Sequence, residues 1–372
     1  MAQTMKARDL DGFLVTAGAN VTYLTGFTGD SSYFAVLPKN ALLISDTRFE
    51  EQIREECPDQ DAVIRSHNKT TLEATAEALT KSGAKTVGVE GNRITLGELD
   101  ALKQFAPKIT FVPVEGVLEA QRAVKDPGEV EKIREAIKVA ERGFKMFVAT
   151  LREADTEKDM VDALENFVRR AGAKCTAFPP IVAVGERGAL PHAQPTTKAL
   201  GDGAKLLVDW GADLGYKSDI TRTLRSPFGT SPSRRNKLER VGYDFEKLYA
   251  VVLAAQNAAL AAIRPGVKAK DVDAAARKVI ATAKFDKYPD LKLGDHFTHG
   301  LGHGIGLEIH ESPKIRANSE DVLEAGMVVT IEPGIYIPGW GGIRIEDDVL
   351  ITHDGCKLLT TLSREPATLS AG

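Results

Sequence analysis

The chain has 372 residues, enough for about two domains of ordinary size, each with a real core. Its 43% apolar and 27% charged content is that of a globular protein, and 48 basic against 52 acidic side chains leave a net charge of −4. That balance implies no basic face, and no apolar run reaches the ~18 residues that cross a bilayer, so neither nucleic acid nor a membrane is expected as a partner. The N-terminus, M-A-Q-T-M-K-A-R-D-L-D-G, has no apolar signal-peptide core, which gives a cytoplasmic expectation. It amounts to a short helix at most, and a few native residues are expected to precede it. Cys57, Cys175 and Cys356 lie far apart with no C-x-x-C, and read as reduced thiols.

The first third alternates short apolar runs with helical stretches. Gly12-Phe13-Leu14-Val15 reads as a strand, as do Phe34-Ala35-Val36-Leu37 and Ala41-Leu42-Leu43-Ile44 around a turn at Pro38-Lys39-Asn40. Residues 46–56 have helical composition, Ala62-Val63-Ile64 is strand-like, 72–82 is helical, Thr86-Val87-Gly88-Val89 is a strand and 96–105 a helix. This alternation predicts an α/β layer domain. In Lys125-Asp126-Pro127-Gly128-Glu129, Asp126 caps a helix, Pro127 fits its first turn and Glu129 reaches back to the cap. Ile133, Ile137, Ala140, Phe144, Phe147, Val148 and Leu151 share one face of the helix that follows. The short strands stop here, which places a domain boundary between residues 125 and 126; a helix start inside one domain is the plainer alternative. Beyond it runs a faint repeat. A long helix and a second helix opened by Thr156-Glu157-Lys158-Asp159 recur as a long helix, Arg264-Pro265-Gly266 and a helix opened by Lys268-Ala269-Lys270-Asp271. Each pair precedes a β-rich stretch, as two similar halves around a shared site would.

Five residues stand out in those stretches. Leu206-Leu207-Val208 is a buried strand ending at Asp209, and Asp219 follows ten residues later across turn-prone glycines, a β-hairpin whose two carboxylates face one point. Alone, either aspartate reads as a turn residue. His296, His299, His303 and His310 cluster in a segment where Gly300, Gly302, Gly304 and Gly306 alternate, a pattern that allows close backbone approach. It lacks the Lys-Ser/Thr ending of a phosphate loop. Val328-Val329-Thr330-Ile331 runs into Glu332, Pro338-Gly339-Trp340-Gly341-Gly342 is a turn, and Ile343-Arg344-Ile345-Glu346 begins another strand with Arg344 and Glu346 on one face. Beside a metal, Arg344 would orient the ligand carboxylate. Four carboxylates gathered without cations repel one another, and two divalent cations balance them. Two adjacent metals activate water toward a carbonyl or a phosphorus, which points to a metal-dependent hydrolase. An oxygen-rich set with one imidazole suits Mn²⁺, Co²⁺ or Zn²⁺.

These contexts, L-V-D-W-G-A, K-S-D-I-T-R-T, G-L-G-H-G-I-G, V-T-I-E-P-G and I-R-I-E-D-D, resemble in order those of the Xaa-Pro aminopeptidases and Xaa-Pro dipeptidases (prolidases), relatives of methionine aminopeptidase. The resemblance covers nearly the whole chain; Asn20 to Phe27 and Asp46-Thr47-Arg48-Phe49 are its weaker N-terminal marks. It implies an α+β chain: a C-terminal pita-bread (creatinase/aminopeptidase) fold with pseudo-twofold halves over residues 126–372, preceded by an α/β N-terminal domain with a mixed sheet over residues 1–125. It makes Asp209, Asp219, His303, Glu332 and Glu346 ligands of two divalent metal ions, Mn²⁺ before Co²⁺ or Zn²⁺, with Asp219 and Glu346 bridging. It marks His192, His299 and His310 as substrate-side histidines, Glu332 as the proton shuttle and Arg344 as a supporting arginine. Family members often space the two aspartates by eleven; the step here is ten, a shortened hairpin tip that leaves both facing inward. The implied activity is hydrolysis of the bond before proline in proline-containing peptides, by a homodimer for which residues 26–32 are a candidate contact. An Xaa-Pro aminopeptidase is the favoured reading and a prolidase the alternative. A non-catalytic binding module of the same fold is remoter, because such relatives, like creatinase-type enzymes, lose metal ligands that are all present here.

Overall fold

The computed structural model describes residues 1–228, 244–284 and 291–369. Over these the chain divides into two compact units, Met1–Arg122 and Ala123–Gly372.

The first unit runs α1 (Ala2–Ala7), β1 (Gly12–Val15), α2 (Gly18–Thr25), β2 (Tyr33–Val36), β3 (Ala41–Asp46), α3 (Glu50–Glu56), β4 (Ala62–Arg65), α4 (Thr71–Lys81), β5 (Thr86–Glu90), α5 (Leu96–Phe105) and β6 (Thr110–Val114), with α6 (Val117–Ala123) closing it. The six strands form one sheet in the order β4-β3-β2-β1-β5-β6. It is mixed: β2 is antiparallel to β1 and β3, while β3–β4, β1–β5 and β5–β6 are parallel. Capping boxes at Thr70–Glu73 and Thr95–Glu98 start α4 and α5 by satisfying amides that a helix start leaves open. Leu14, Leu43, Ile44, Val87 and Leu102 are fully buried in its core, each contributing about 1.5–3 kcal/mol. The helix expected over 46–56 opens as a 3₁₀ turn at Thr47–Phe49, because the Asp46 carboxylate accepts from the Arg48 amide and side chain. Helix α2 and strand β6 went unread. The α2 start has no side-chain cap of its own; Glu90, far away in sequence, accepts from Thr16 and Ala17 N–H instead.

In the second unit α7 (Pro127–Val148) opens with the expected Asp126–Glu129 capping box and buries Ile133, Ile137, Ala140, Phe144 and Phe147. Leu151 is buried too, but lies beyond the helix end. Then come α8 (Glu157–Arg170), β7 (Cys175–Thr176), β8 (Ile181–Val184), β9 (Lys205–Trp210), β10 (Ala212–Leu214), β11 (Tyr216–Lys217) and β12 (Ile220–Arg225). The second half repeats the order: α9 (Phe245–Ala262), α10 (Ala269–Thr282), then β13 (Gly302–Gly304), β14 (Glu311–Ile315), β15 (Val328–Ile331), β16 (Gly334–Ile337), β17 (Gly341–Arg344), β18 (Asp347–Ile351) and β19 (Cys356–Leu358). Each half has its own apolar cluster: one under α7 and α8, where Trp210 stacks on Phe144 at 4.0 Å, the other under α9 and α10. The main sheets are β12-β9-β8 in the first half and β14-β13-β15-β18-β19 in the second. A bridge from Thr221 to Glu346 joins them, and the acids of interest converge there.

Candidate metal centre

Strands β9 and β12 present the first two acids. Asp209 pairs with Thr221 across the ladder, and Asp219 lies two residues before Thr221, so strand alternation turns all three to one side. The hairpin closes tightly because position 211 is glycine: a Cβ there would stand 1.8 Å from the Ser218 carbonyl oxygen. Its tip carries the short strands β10 and β11.

His303 sits in β13, paired to β14 and β15. A Cβ at Gly302 would lie 2.0 Å from the Thr330 carbonyl oxygen and one at Gly304 2.1 Å from that of Ser312. The alternating glycines therefore serve close strand packing. The His303 Nδ1–H donates to the Gly304 carbonyl at 3.0 Å, which leaves Nε2 as a bare lone pair. That atom is 3.6 Å from both Asp219 Oδ2 and Glu332 Oε1. Asp219, His303 and Glu346 each place one possible ligand atom within 4.8 Å of the others.

Glu332 follows β15 and Glu346 precedes β18; Ile331 pairs with Asp347, so the two glutamates flank the end of that ladder. The strand expected to run from Ile343 through Glu346 is broken: β17 ends at Arg344, and the Glu346 N–H donates to the Thr221 carbonyl at 3.1 Å. The role expected of Arg344 changes with it. Its Nη2 donates to Asp209 Oδ2 at 2.6 Å, and its Nε to Thr221 Oγ1 at 3.0 Å. Thr221 Oγ1 in turn donates to Glu346 Oε2 at 2.6 Å. Arg344 thus orients Asp209 directly and reaches Glu346 only through Thr221.

Asp209, Asp219, His303 and Glu346 are buried. Burial lifts the Asp219 carboxyl well above the ordinary range, and the neighbouring Glu346, Asp209 and Glu332 carboxylates add to it. Glu346 is raised by burial, then by Glu332 and Asp209. Burial lifts Glu332 to about 8, against the opposing pull of Arg344. Burial also drives His303 down to about 3, the neutral form that can ligate a metal. Asp209 Oδ1 and Asp219 Oδ1 are buried and, among the described residues, accept no hydrogen bond. Buried acceptors are normally satisfied, and crowded acids with open oxygens and a bare imidazole nitrogen fit a pair of divalent cations.

These residues line a cavity of about 490 Å³ that His192, His299 and His310 line as well. His192 and His310 are exposed, and among the described residues neither ring makes a hydrogen bond. His299 differs. Its Nδ1–H donates to the Gly300 carbonyl at 2.7 Å, and its Nε2 accepts from the Tyr336 hydroxyl at 2.7 Å, so both nitrogens are committed to the protein. Burial, then Arg344, drives it to about 4. His296 is not in the cavity lining; its ring contacts the Tyr336 carbonyl at 3.1 Å. Sequence reasoning missed Thr221, Tyr336, Lys314 and Arg316. Only the last pair left a signal, a period of two in P-K-I-R that puts both cations on one face.

Residues 131–353 match metallopeptidase family M24, and residues 1–124 match the creatinase/prolidase N-terminal domain. The chain belongs to metallopeptidase family M24. It is 33% identical over 362 residues to the Xaa-Pro dipeptidase of Pyrococcus horikoshii, covering 97% of this chain and 95% of that one. Among solved structures it resembles the Xaa-Pro dipeptidase from Bacillus anthracis, with TM-score 0.85, 33% identity, and 99% of this chain and 97% of that chain covered. It also resembles the X-Pro aminopeptidase from Thermotoga maritima, with TM-score 0.84, 32% identity, and 98% and 99% covered. The expected pita-bread fold behind an α/β N-terminal domain with a mixed sheet is the fold of this M24 chain. As a prolidase-like M24 member it is a metallopeptidase, a hydrolase of a family that uses divalent metals. No helix among the described residues is long and apolar enough to cross a membrane.

Proposed function

We propose that this chain hydrolyses the peptide bond before proline at the N-terminus of short peptides, with two divalent cations held by Asp209, Asp219, His303, Glu332 and Glu346. The observation that carries the reading is the set of crowded, under-satisfied acids beside a bare imidazole nitrogen, at one wall of a peptide-sized cavity. When bound, the cations would supply Lewis acidity and lower the pKa of water; Mn²⁺ is our first choice and Co²⁺ or Zn²⁺ the alternatives. Glu332 borders the cavity beside the His303 ring, where its carboxylate would take a proton from water and hand it to the leaving proline nitrogen. His310 and His192 offer free ring nitrogens to the scissile carbonyl and the developing oxyanion. His299, bonded on both nitrogens, acts by packing between Glu332 and Tyr336. Arg344 holds Asp209. Residues 1–125 then form the accessory domain and 126–372 the catalytic one, and the working form is a homodimer.

Substrate length divides two readings. An Xaa-Pro aminopeptidase, the expectation from sequence, needs the cavity to accept chain beyond proline. A prolidase needs it to meet the free carboxylate of a terminal proline. Lys314 and Arg316 line the cavity, and among the described residues neither side chain makes an ion pair or hydrogen bond. Burial lowers the Lys314 pKa and Arg316 adds to it, against the opposing pull of Glu311, Glu308 and Asp321. These two cations favour the dipeptide, in line with the dipeptidases among the relatives. The test compares Gly-Pro, Gly-Pro-Pro and a longer Xaa-Pro peptide after metal removal and add-back of Mn²⁺, Co²⁺ or Zn²⁺. Turnover of Gly-Pro far above the others supports the prolidase; efficient cleavage of the longer peptides makes it an aminopeptidase. No turnover with any metal ends the enzyme reading and revives the binding module.

A further inference from the structure

The exposed His192 ring makes no hydrogen bond among the described residues, so its own side chain does not fix its place at the cavity. Its segment is held through the backbone instead. Glu157, the first residue of α8, is fully buried and is not part of the cavity lining. Its carboxylate accepts from the Val184 N–H at 2.9 Å, from Arg187 Nε at 2.9 and 2.8 Å, and from the Thr196 N–H and hydroxyl at 2.9 and 2.6 Å. Every one of those donors belongs to the 184–196 segment that carries His192.

Arg187 extends the grip. Its Nη2 donates to the Gln194 carbonyl at 2.5 Å, two residues after His192. Arg344 Nη1 reaches the Pro191 carbonyl at 3.3 Å, one residue before it. Guanidinium donors therefore hold the chain on both sides of the histidine. The other half repeats the device on the other histidine segment. There Asp273 and Arg277 of α10 are paired; Asp273 accepts from the Leu301 N–H at 3.1 Å, and Arg277 donates to the carbonyls of Phe297 and His299. Core packing alone does not call for a buried carboxylate such as Glu157, since apolar residues of similar volume are often as stable.

We infer that Glu157 and Arg187 are positioning residues that hold His192 at the active-site cavity. The inference rests on the reading of His192 as a substrate-contacting group. A shift of about 1 Å in such a group can cost up to ~100-fold in rate.

The test uses the full-length, metal-loaded protein with Gly-Pro as substrate, and the metal-free protein for hydrogen exchange. R187A is the main variant, because Arg187 is part-exposed and its loss leaves Glu157 its three remaining donors; E157Q is the second. We expect R187A to lower kcat/KM by about 10-fold or more, mainly in kcat, with metal content unchanged, and R187K to restore part of it. Amide exchange across 185–196 should quicken in metal-free R187A and not elsewhere. The double variant R187A/H192A should be no worse than H192A, because both act through one ring. Additive losses, or wild-type exchange across 185–196 in R187A, would overturn the inference. If H192A keeps wild-type activity while R187A still quickens exchange, the clamp stands and the substrate role of His192 falls.

Discussion

The second unit buries carboxylates in two settings. Glu157 is wholly enclosed, yet its oxygens meet amides, a hydroxyl and a guanidinium. Asp219 and Glu346 are also buried, but their nearest charged neighbours include other carboxylates, and among the described residues Asp219 Oδ1 meets no donor. Burial of an acid is common to both and decides nothing. The supply of positive partners separates them: a satisfied acid anchors chain segments, while a crowded, open one has a place for cations.

Removing one charge from the crowded group should have the largest effect. D219N keeps the shape and should lower Gly-Pro turnover by more than the ~10–100-fold typical of contacts outside a metal's own ligands, with metal content reduced. Its metal-free form should melt above metal-free wild type at pH 8, because a repelling charge is gone. A lower melting temperature would place the two settings in one class after all. E157Q should show the opposite pattern, losing stability with metal content retained.

The second effect is on pH. The Glu332 carboxyl is raised to about 8 in the folded protein, against an ordinary 4.5, so the metal-free fold binds more protons than the unfolded chain. Its contribution is fully present below about 4.5 and is lost as pH rises toward about 8. Asp219 and Glu346, raised in the same direction, steepen the decline. Thermal melts in chelator should therefore fall across pH 5–8, and added Mn²⁺ should stabilise more at pH 8 than at pH 5, with protons released on binding. A metal-free protein that gains stability over that range would contradict the acid cluster.

T221V should follow, at about 10–100-fold in kcat, because it removes the hydroxyl linking Arg344 to Glu346 while keeping the volume. K314M should raise KM for Gly-Pro and leave kcat nearly unchanged, and a matching effect on Gly-Pro-Pro would remove the argument for dipeptide preference. Smallest of all is E320Q. Lys268 and Lys270 hold the Glu320 carboxyl down at about 2, but the group is exposed, and its loss should leave activity and melting temperature unchanged within error.

Much of this was legible because the proposed ligands sit at strand ends, where apolar runs halt at an acid: Leu206-Leu207-Val208 before Asp209, and Val328 to Ile331 before Glu332. The α7 start was equally readable, since its cap is local. What stayed hidden depends on chain separation. The Arg344–Asp209 bond spans 135 positions and the Thr221–Glu346 bond 125, and no local pattern records either. The Ile343-Arg344-Ile345-Glu346 run has strand composition, but bridging to Thr221 ends the strand early and re-aims Glu346. Glu157 read only as a helix opener, because its four donors arrive from 27 to 39 residues downstream.

The central claim is that the crowded acids exist to hold cations. The most direct test is metal binding to chelator-stripped protein, by calorimetry and elemental analysis with Mn²⁺, beside Gly-Pro hydrolysis on the same samples. The account predicts two ions per chain and activity that returns as they bind. Full activity in chelator, or a stripped protein that takes up no Mn²⁺, Co²⁺ or Zn²⁺, would contradict it.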